Sequence, residues 1–323
     1  MIENNKIINK LMILYFLKKI IKFIIFYPRY LIFKLSGKPD EIVTIIDGGL
    51  GSQMSQYAMG QEIQRLTGFQ VSYDLSWYKN NGKDINGKEN RLFELDKYFP
   101  NVNIRKASNN MCKIYNILFN KKNNKILIQN LDNIKLNAPS YLGGYYKSDK
   151  YSNYNQDYLK NIYSFNLSLN NENKEMLNNI LHRKISVGIQ VRLGDYIGSA
   201  LNVVTYDYFN NSVKFILNKI RYNDLTDIYF FIFSDNSIKA KEYLPILDNY
   251  TFININDNDH GIYDMYLMKH CHHFIISNST FGFWSALLSD RADDKIVIQP
   301  DKWLKTDTER LKPKYPGWVT IEC

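Results

Sequence analysis

From residue 186 to near residue 298, short apolar runs alternate with helical stretches, and that alternation leaves few folds open. Residues 186–191 (SVGIQV) and 228–234 (IYFFIFS) are short, continuously apolar and bounded by turn residues, as buried strands are. Between them Phe209, Val213, Ile216 and Ile220 recur at i, i+4, i+7 and i+11. That spacing lines one helix face, and the helix is predicted to run from a Thr205 cap to about Arg221. A short helix, a strand at 251–255, a helix at 262–270, a strand at 274–277, a helix at 281–289 and a strand at 295–298 complete the series. Strands separated by helices make a parallel sheet covered on both faces.

The first part of the chain starts the same way. Residues 42–47 (IVTIID) read as a β-branched strand, and Gly48-Gly49-Leu50-Gly51 turns the chain into a helix that Gly68 stops after Thr67. A second strand at 69–73 leads to Asp74. The middle, residues 79–135, is less regular, with a polar stretch at 120–125 (NKKNNK). A second polar stretch at 170–174 (NNENK) precedes a helix to Lys184. The predicted organisation is α/β: a leader at 1–38, a Rossmann-like domain at 39–184, a second at 185–323, and a cleft between the two.

Composition narrows the class. A chain 45% hydrophobic and 23% charged is neither disordered nor fibrous. Cys112, Cys271 and Cys323 are too few and too scattered for a disulfide framework and suit a reducing compartment. The net charge of +9 is unevenly spread. Residues 1–38 hold eight Lys and Arg against Glu3, a net +7, which leaves only +2 for the body. A basic nucleic-acid-binding surface is therefore not expected. In residues 11–35 (LMILYFLKKIIKFIIFYPRYLIFKL) the uncharged runs are shorter than the ~20 residues a spanning helix needs. Bulky apolar residues interleaved with Lys suit a helix lying on an anionic membrane surface. An ordinary helix packed on the body is the other reading. Pro28 is expected to end its first part.

Three motifs carry chemistry. Asp47-Gly48-Gly49-Leu50-Gly51-Ser52-Gln53 joins a strand to a helix, where glycines admit a ligand and the helix start offers free N–H groups. It matches part of a dinucleotide fingerprint, with Asp74 where a ribose-binding acid would stand, but Met54 replaces the third glycine. A tight strand-to-helix turn explains it equally. Gln190-Val191-Arg192-Leu193-Gly194-Asp195-Tyr196 sits at the carboxyl end of a strand, the edge where open sheets bind ligands. Arg192 there suits a diphosphate, or pairs with Asp195 structurally. Asn278, Ser279, Thr280 and Phe281 open a helix after another strand, forming an anion site or a plain N-cap. His270, Cys271, His272 and His273 are adjacent, so their side chains diverge and no metal is expected there. Asp257-Asn258-Asp259 has the D-x-D form of metal-dependent sugar transferases, in a stretch where such triplets arise by chance.

In order and spacing, these motifs resemble the alpha-1,2-fucosyltransferase family. The first is similar to that family's G-G-L-G-N-Q-M-F-Q-Y-A, the second to H-V-R-R-G-D-Y, and the block from Asp264 to Trp284 to D-L-Y-L-M-S-x-C-x-H-x-I-I-x-N-S-S-F-S-W-W. Smaller echoes are residues 141–151 (YLGGYYKSDKY), Phe233-Ser234-Asp235, Lys302-Trp303 and Gly317-Trp318. The resemblance implies two facing Rossmann-like domains (GT-B type) and an inverting, metal-independent transfer of fucose from GDP-fucose to O2 of a galactoside, with no cofactor. The setting would be a bacterial surface glycan, built at the cytoplasmic face of the inner membrane by a peripheral enzyme held there through residues 1–38.

The resemblance also assigns roles. Arg192 would neutralise the departing diphosphate and Asp264 would contact the guanosine. Ser279, Thr280 and Phe281, with Gln190 and Asn278 beside them, would hold the donor at the helix start. Gly49, Leu50, Gly51 and Ser52 would close on it from the first domain. The base is not among the assigned roles; Asp74 and Asp195 are the acids nearest the motifs, and a carboxylate can take the acceptor proton. Gln190 stands where His is usual and Leu193 where a second Arg is usual, so a catalytically weak nucleotide- or glycan-binding relative is an alternative. An NAD(P)-dependent oxidoreductase built on the first βαβ unit is another.

Overall fold

The computed structural model describes residues 2–37, 39–80, 82–83, 87, 90–120, 128–130, 136–143, 145–147, 156–220, 228–257, 260–291, 294–306, 315 and 317–323. In chain order the elements begin α1 (Ile2–Leu35), β1 (Ile42–Ile45), α2 (Leu50–Thr67), β2 (Val71–Asp74), α3 (Ser76–Asn80), α4 (Leu95–Tyr98) and α5 (Asn109–Leu118). Next come β3 (Ile128–Asn130), β4 (Ser140–Leu142), β5 (Tyr145–Lys147), α6 (Gln156–Ile162), α7 (Asn171–His182), β6 (Ile185–Val191) and α8 (Tyr206–Ile220). The last are β7 (Ile228–Ser234), α9 (Ser237–Ala240), β8 (Tyr250–Ile253), α10 (Gly261–Met268), β9 (His273–Ile275), α11 (Thr280–Leu287), β10 (Val297–Pro300) and β11 (Val319–Ile321). Most of the polar stretch at 120–125, and parts of 141–151 and of the Asp257-Asn258-Asp259 triplet, lie outside the described residues.

The chain divides into two compact units. The first takes residues 1–47, 56–82 and 104–146, and the second residues 48–55, 83–103 and 147–323. The second unit thus begins before the expected start at residue 185. It takes in α7, whose Ile180, Met176 and Leu177 pack with Phe231, Phe233 and Phe274 into its core.

In the first unit β1 lies between β2 and β4, all parallel, with Val43 opposite Ser72 and Tyr141. Gly68, with φ of 71°, closes α2 as the sequence predicts, its N–H donating to the Gln64 carbonyl at 2.9 Å. Asp74 ends β2 and is 3% exposed. Its carboxylate accepts from the Ser76 N–H and the Tyr141 hydroxyl, each at 2.8 Å. Burial, followed by the nearby Asp74 charge, pushes the Cys112 thiol up to about 12. Helix α1 continues through Pro28, contrary to expectation. Its last turns are held by packing: Tyr30 sits edge-on to Phe119 with ring centroids 4.9 Å apart and donates to Asp40 at 2.6 Å. Among the described residues no helix is long and apolar enough to cross a membrane.

The second unit carries six parallel strands in the order β11-β10-β9-β6-β7-β8. Counted from the β8 edge, they are the third, second, first, fourth, fifth and sixth strands of the unit, the order of a doubly wound fold. Strand alternation builds a core on each face. Phe230 and Ile232 of β7 join Val187, Ile189 and Val191 on one face, while Phe231 and Phe233 join Phe274 and Ile276 on the other. Thr205 caps α8 as predicted, accepting from the Tyr208 N–H at 3.2 Å. The Tyr208 hydroxyl then donates to the Ile276 carbonyl at 2.6 Å and ties that helix to the sheet. Strand β11 is absent from the sequence reading, because Val319-Thr320-Ile321 is too short to show a period.

Candidate functional site

Strand order reverses where β6 and β9 lie side by side, since β6 leads on to β7 and β9 to β10. A reversal of this kind opens a crevice beyond the carboxyl ends of the two strands. The second and third motifs end there. The Ser277 hydroxyl donates to the Gln190 carbonyl at 2.8 Å and accepts from the Arg192 N–H at 3.0 Å, which locks the two strand ends together.

Arg192 is held on both sides. One terminal nitrogen donates to Asp195 Oδ1 at 2.6 Å and the other pairs with Asp235 Oδ2 at 3.0 Å. The side chain keeps 24% of its surface open to solvent. Burial alone would lower its pKa, but Asp235 and then Asp195 outweigh burial and raise it. Asp235 in turn accepts from the Leu193 N–H at 2.9 Å. A Cβ on Gly194 would come within 2.5 Å of Asp235 Oδ2, so only glycine leaves room for this clamp. Asp235 enters the sequence reading merely as part of Phe233-Ser234-Asp235. Its signal was there: an acid one residue past β7, the strand paired with β6.

Arg91 is a second residue the sequence reading passes over. Its guanidinium lies 3.9 Å from Asp195 Oδ2, so two guanidiniums and two carboxylates meet here with charges in balance. Leu193, by contrast, is fully buried in the core of the second unit. A cation at that position would point into the core, so its absence takes nothing from the site.

The other expected residues fall into two groups. Asp264 is half-buried on α10 and accepts from Asn256 Nδ2 at 2.7 Å, while Asn173 and Asn256 exchange amide hydrogen bonds. Burial raises the Asp264 carboxyl to about 7, against the opposing pull of the Asn256 bond. Ser279 accepts from the Phe281 N–H at 3.3 Å and so caps α11, whose opening turn holds Thr280. The remaining residues are tied into the protein. Gln190 Oε1 accepts from the Ser277 N–H at 3.2 Å, and Asn278 Nδ2 donates to the Leu201 and Trp303 carbonyls, each at 2.8 Å.

The first motif also packs on protein. A Cβ on Gly51 would stand 2.7 Å from Thr280 Oγ1, and Trp284 Nε1 donates to the Gly51 carbonyl at 3.0 Å. Gly49 precedes α2 and its carbonyl accepts from the Ser52 N–H at 2.9 Å. Leu50 is the first residue of that helix. Gly51 is small because Thr280 and Phe281 pack against it, which gives the partial dinucleotide fingerprint a structural reason that needs no pyrophosphate. Asp74, its carboxylate enclosed with Tyr141 and Ser76, is open neither to a ribose nor to an acceptor hydroxyl. Asp195 is engaged by Arg192 and Arg91 and orients the first of them.

The histidine run diverges as expected. His270 Nδ1 meets the Tyr266 carbonyl, His272 Nδ1 the Ser186 N–H, and His273 Nδ1 the Ile296 N–H. Among the described residues no group of three or more His, Cys, Asp or Glu converges as a metal site would.

The model of glycosyl transferase family 11 matches residues 99–322, more than half of the chain. The chain belongs to that family. This family 11 glycosyltransferase is 28% identical to an alpha-1,2-colitosyltransferase of Escherichia coli over 87% of its own length and 99% of the relative's. It is 24% identical to the O-antigen biosynthesis glycosyltransferase WbnK of Escherichia coli, over 85% of its length and 99% of that protein's. Among solved structures, the fucosyltransferase NodZ from Bradyrhizobium is similar at 10% identity with a TM-score of 0.43, covering 78% of this chain and 94% of that one.

Proposed function

We propose that this transferase moves a deoxyhexose from its GDP-linked donor to O2 of a galactoside in an alpha-1,2 linkage, with inversion and without a metal. L-fucose is the sugar the motifs point to, and colitose enters because a similar protein bears that name. The product would be part of an O-antigen-type glycan, as the name of the WbnK relative suggests. The reading rests above all on Arg192, a clamped, partly open guanidinium at the switch point of a doubly wound sheet.

In this mechanism Arg192 meets the diphosphate, whose negative charge grows as the bond to the sugar breaks. Asp195 and Asp235 fix the plane of its fork, so no reorganisation is needed at the transition state. Arg91, sharing Asp195, offsets one of the two acids and keeps the clamp from repelling the diphosphate. The start of α11 adds its dipole at Thr280. Asp264 accepts from the guanine N–H groups. The test is GDP release from a panel of GDP-sugars, with and without galactosides. Acceptor-dependent release from a GDP-deoxyhexose supports the reading, and release from none of the panel contradicts it.

Two expected outcomes follow. Arg91→Ala should lower turnover severalfold to about tenfold, less than loss of Arg192, because Arg91 acts through a shared carboxylate at longer range. Arg91→Lys should keep most of the rate, since charge and not a fork is what the position supplies. Equal rates in wild type and the Ala variant would remove Arg91 from the mechanism.

Asp264 has a carboxyl raised to about 7, so it is largely protonated below that pH and accepts two guanine hydrogens only above it. GDP affinity should therefore rise as pH passes from about 6 to about 8. The folded state, holding this proton more tightly than the unfolded chain, should lose stability as pH rises from the ordinary carboxyl range, ~4, towards about 7. Asp264→Asn should flatten both profiles, measured by calorimetry and by thermal melting. An unchanged affinity profile in the Asn variant would place the base elsewhere.

A further inference from the structure

We propose that α1 is a membrane-surface helix that lies flat on an anionic bilayer, with the first unit docked on its other side. Between Ile13 and Ile25 stand ten large apolar residues and three lysines, and the apolar side chains are 46–67% exposed. An apolar surface of this extent is rare on a soluble body and marks an interaction site.

The arrangement around the helix identifies the partner. At roughly 100° per residue, Phe26, Tyr30 and Phe33, which pack on α5, share one arc of about 120° with Lys18, Lys19, Lys22 and Arg29. Outside that arc, from Ile13 to Leu35, every position is apolar or aromatic except Lys34, which pairs with Asp40 at 3.0 Å. Ile20, Ile24 and Ile32 lie on this opposite face, with Leu35 at its far end 87% exposed. The unpacked face extends for about 33 Å of helix at ~1.5 Å per residue. One side of α1 therefore carries the protein and most of the cations, and the other is apolar but for Lys34 and the Tyr27 hydroxyl.

Charge decides between lipid and a second copy of the chain. Two copies joined along residues 13–35 would each bring five cations and no acid to the contact, which like-charge repulsion opposes. Anionic headgroups instead attract the cations of the opposite arc, whose long stems reach back towards the headgroup level, while the apolar face enters the acyl boundary. The docked turns at Phe26, Tyr30 and Phe33 would then hold the first unit against the membrane plane. The inference stands on the leader alone and is independent of the donor proposed above.

The experiment uses the full chain and co-sedimentation with phosphatidylcholine vesicles, with or without phosphatidylglycerol. Wild type should bind the anionic vesicles at least tenfold more tightly than the neutral ones. The triple variant Ile13→Glu, Ile20→Glu, Ile24→Glu should lose at least tenfold of that binding, with unchanged circular dichroism and melting because these side chains touch no core. Sedimentation velocity without lipid should show no self-association that the triple variant abolishes. The proposal is overturned if wild type ignores anionic vesicles, if the triple variant binds them equally, or if the same substitutions disperse a dimer.

Discussion

Arg192→Lys should lower turnover by on the order of 10²-fold, the size of losing one transition-state donor, and Arg192→Ala by more. Lysine keeps the charge but presents a point donor where the structure holds a planar fork between two carboxylates. It can satisfy Asp195 or Asp235, and whichever carboxylate loses its partner then opposes the diphosphate. Ala takes the guanidinium from both acids and leaves Asp195 with Arg91 at 3.9 Å and Asp235 with the Leu193 N–H, two carboxylates less well neutralised beside the phosphates. Both variants should fold, since the side chain ends a strand and is partly open to solvent. The check is the initial rate of GDP release with a working acceptor, beside a melting curve. A Lys variant near the wild-type rate would remove the fork from the mechanism. An Ala variant near that rate would make Arg192 a structural partner of the two acids.

Gly194→Ala should also be damaging, although a methyl is added and no charge is touched. The new Cβ would lie 2.5 Å from Asp235 Oδ2 and 3.1 Å from Asp235 Cγ, too close for both to stay. Moving Asp235 breaks its 3.0 Å pairing with Arg192 and its 2.9 Å bond from the Leu193 N–H. The expected loss is about tenfold or more in turnover, from misplacing a transition-state donor. The effect should not add to that of Asp235→Asn, because both remove the same contact. A double-mutant cycle on GDP release measures this. Additive losses would mean that Gly194 acts by another route, and wild-type activity in the Ala variant would mean that the clamp is dispensable.

Much of the second unit can be read in the residues. Phe230–Phe233 alternate between two cores and Thr205 acts as the cap its position predicts, as Gly68 does as a stop in the first unit. What cannot be read is position in space. Nothing in the sequence places Arg91 near Asp195, more than a hundred residues on, or turns Leu193 into the core one step after Arg192 faces the crevice. The glycines of the first motif mislead for the same reason. Their spacing fits a nucleotide turn, yet Gly51 is small because Thr280 and Phe281 pack against it. Asp74 fits a ribose-binding acid by distance along the chain, but Tyr141, supplied by a strand formed much later, encloses it. Pro28 fails to end α1 because Phe26, Tyr30 and Phe33 on both sides of it pack on one neighbouring helix.

The central claim is that the clamped Arg192 serves a GDP-sugar donor. The most direct measurement is isothermal titration of GDP into wild type and Arg192→Ala, followed by turnover of GDP-fucose with a galactoside. Wild type should bind GDP and release it from the sugar only when acceptor is present. The Ala variant should bind GDP more weakly and release almost none. Equal GDP binding by the two proteins, or GDP release that ignores both the acceptor and Arg192, would contradict it.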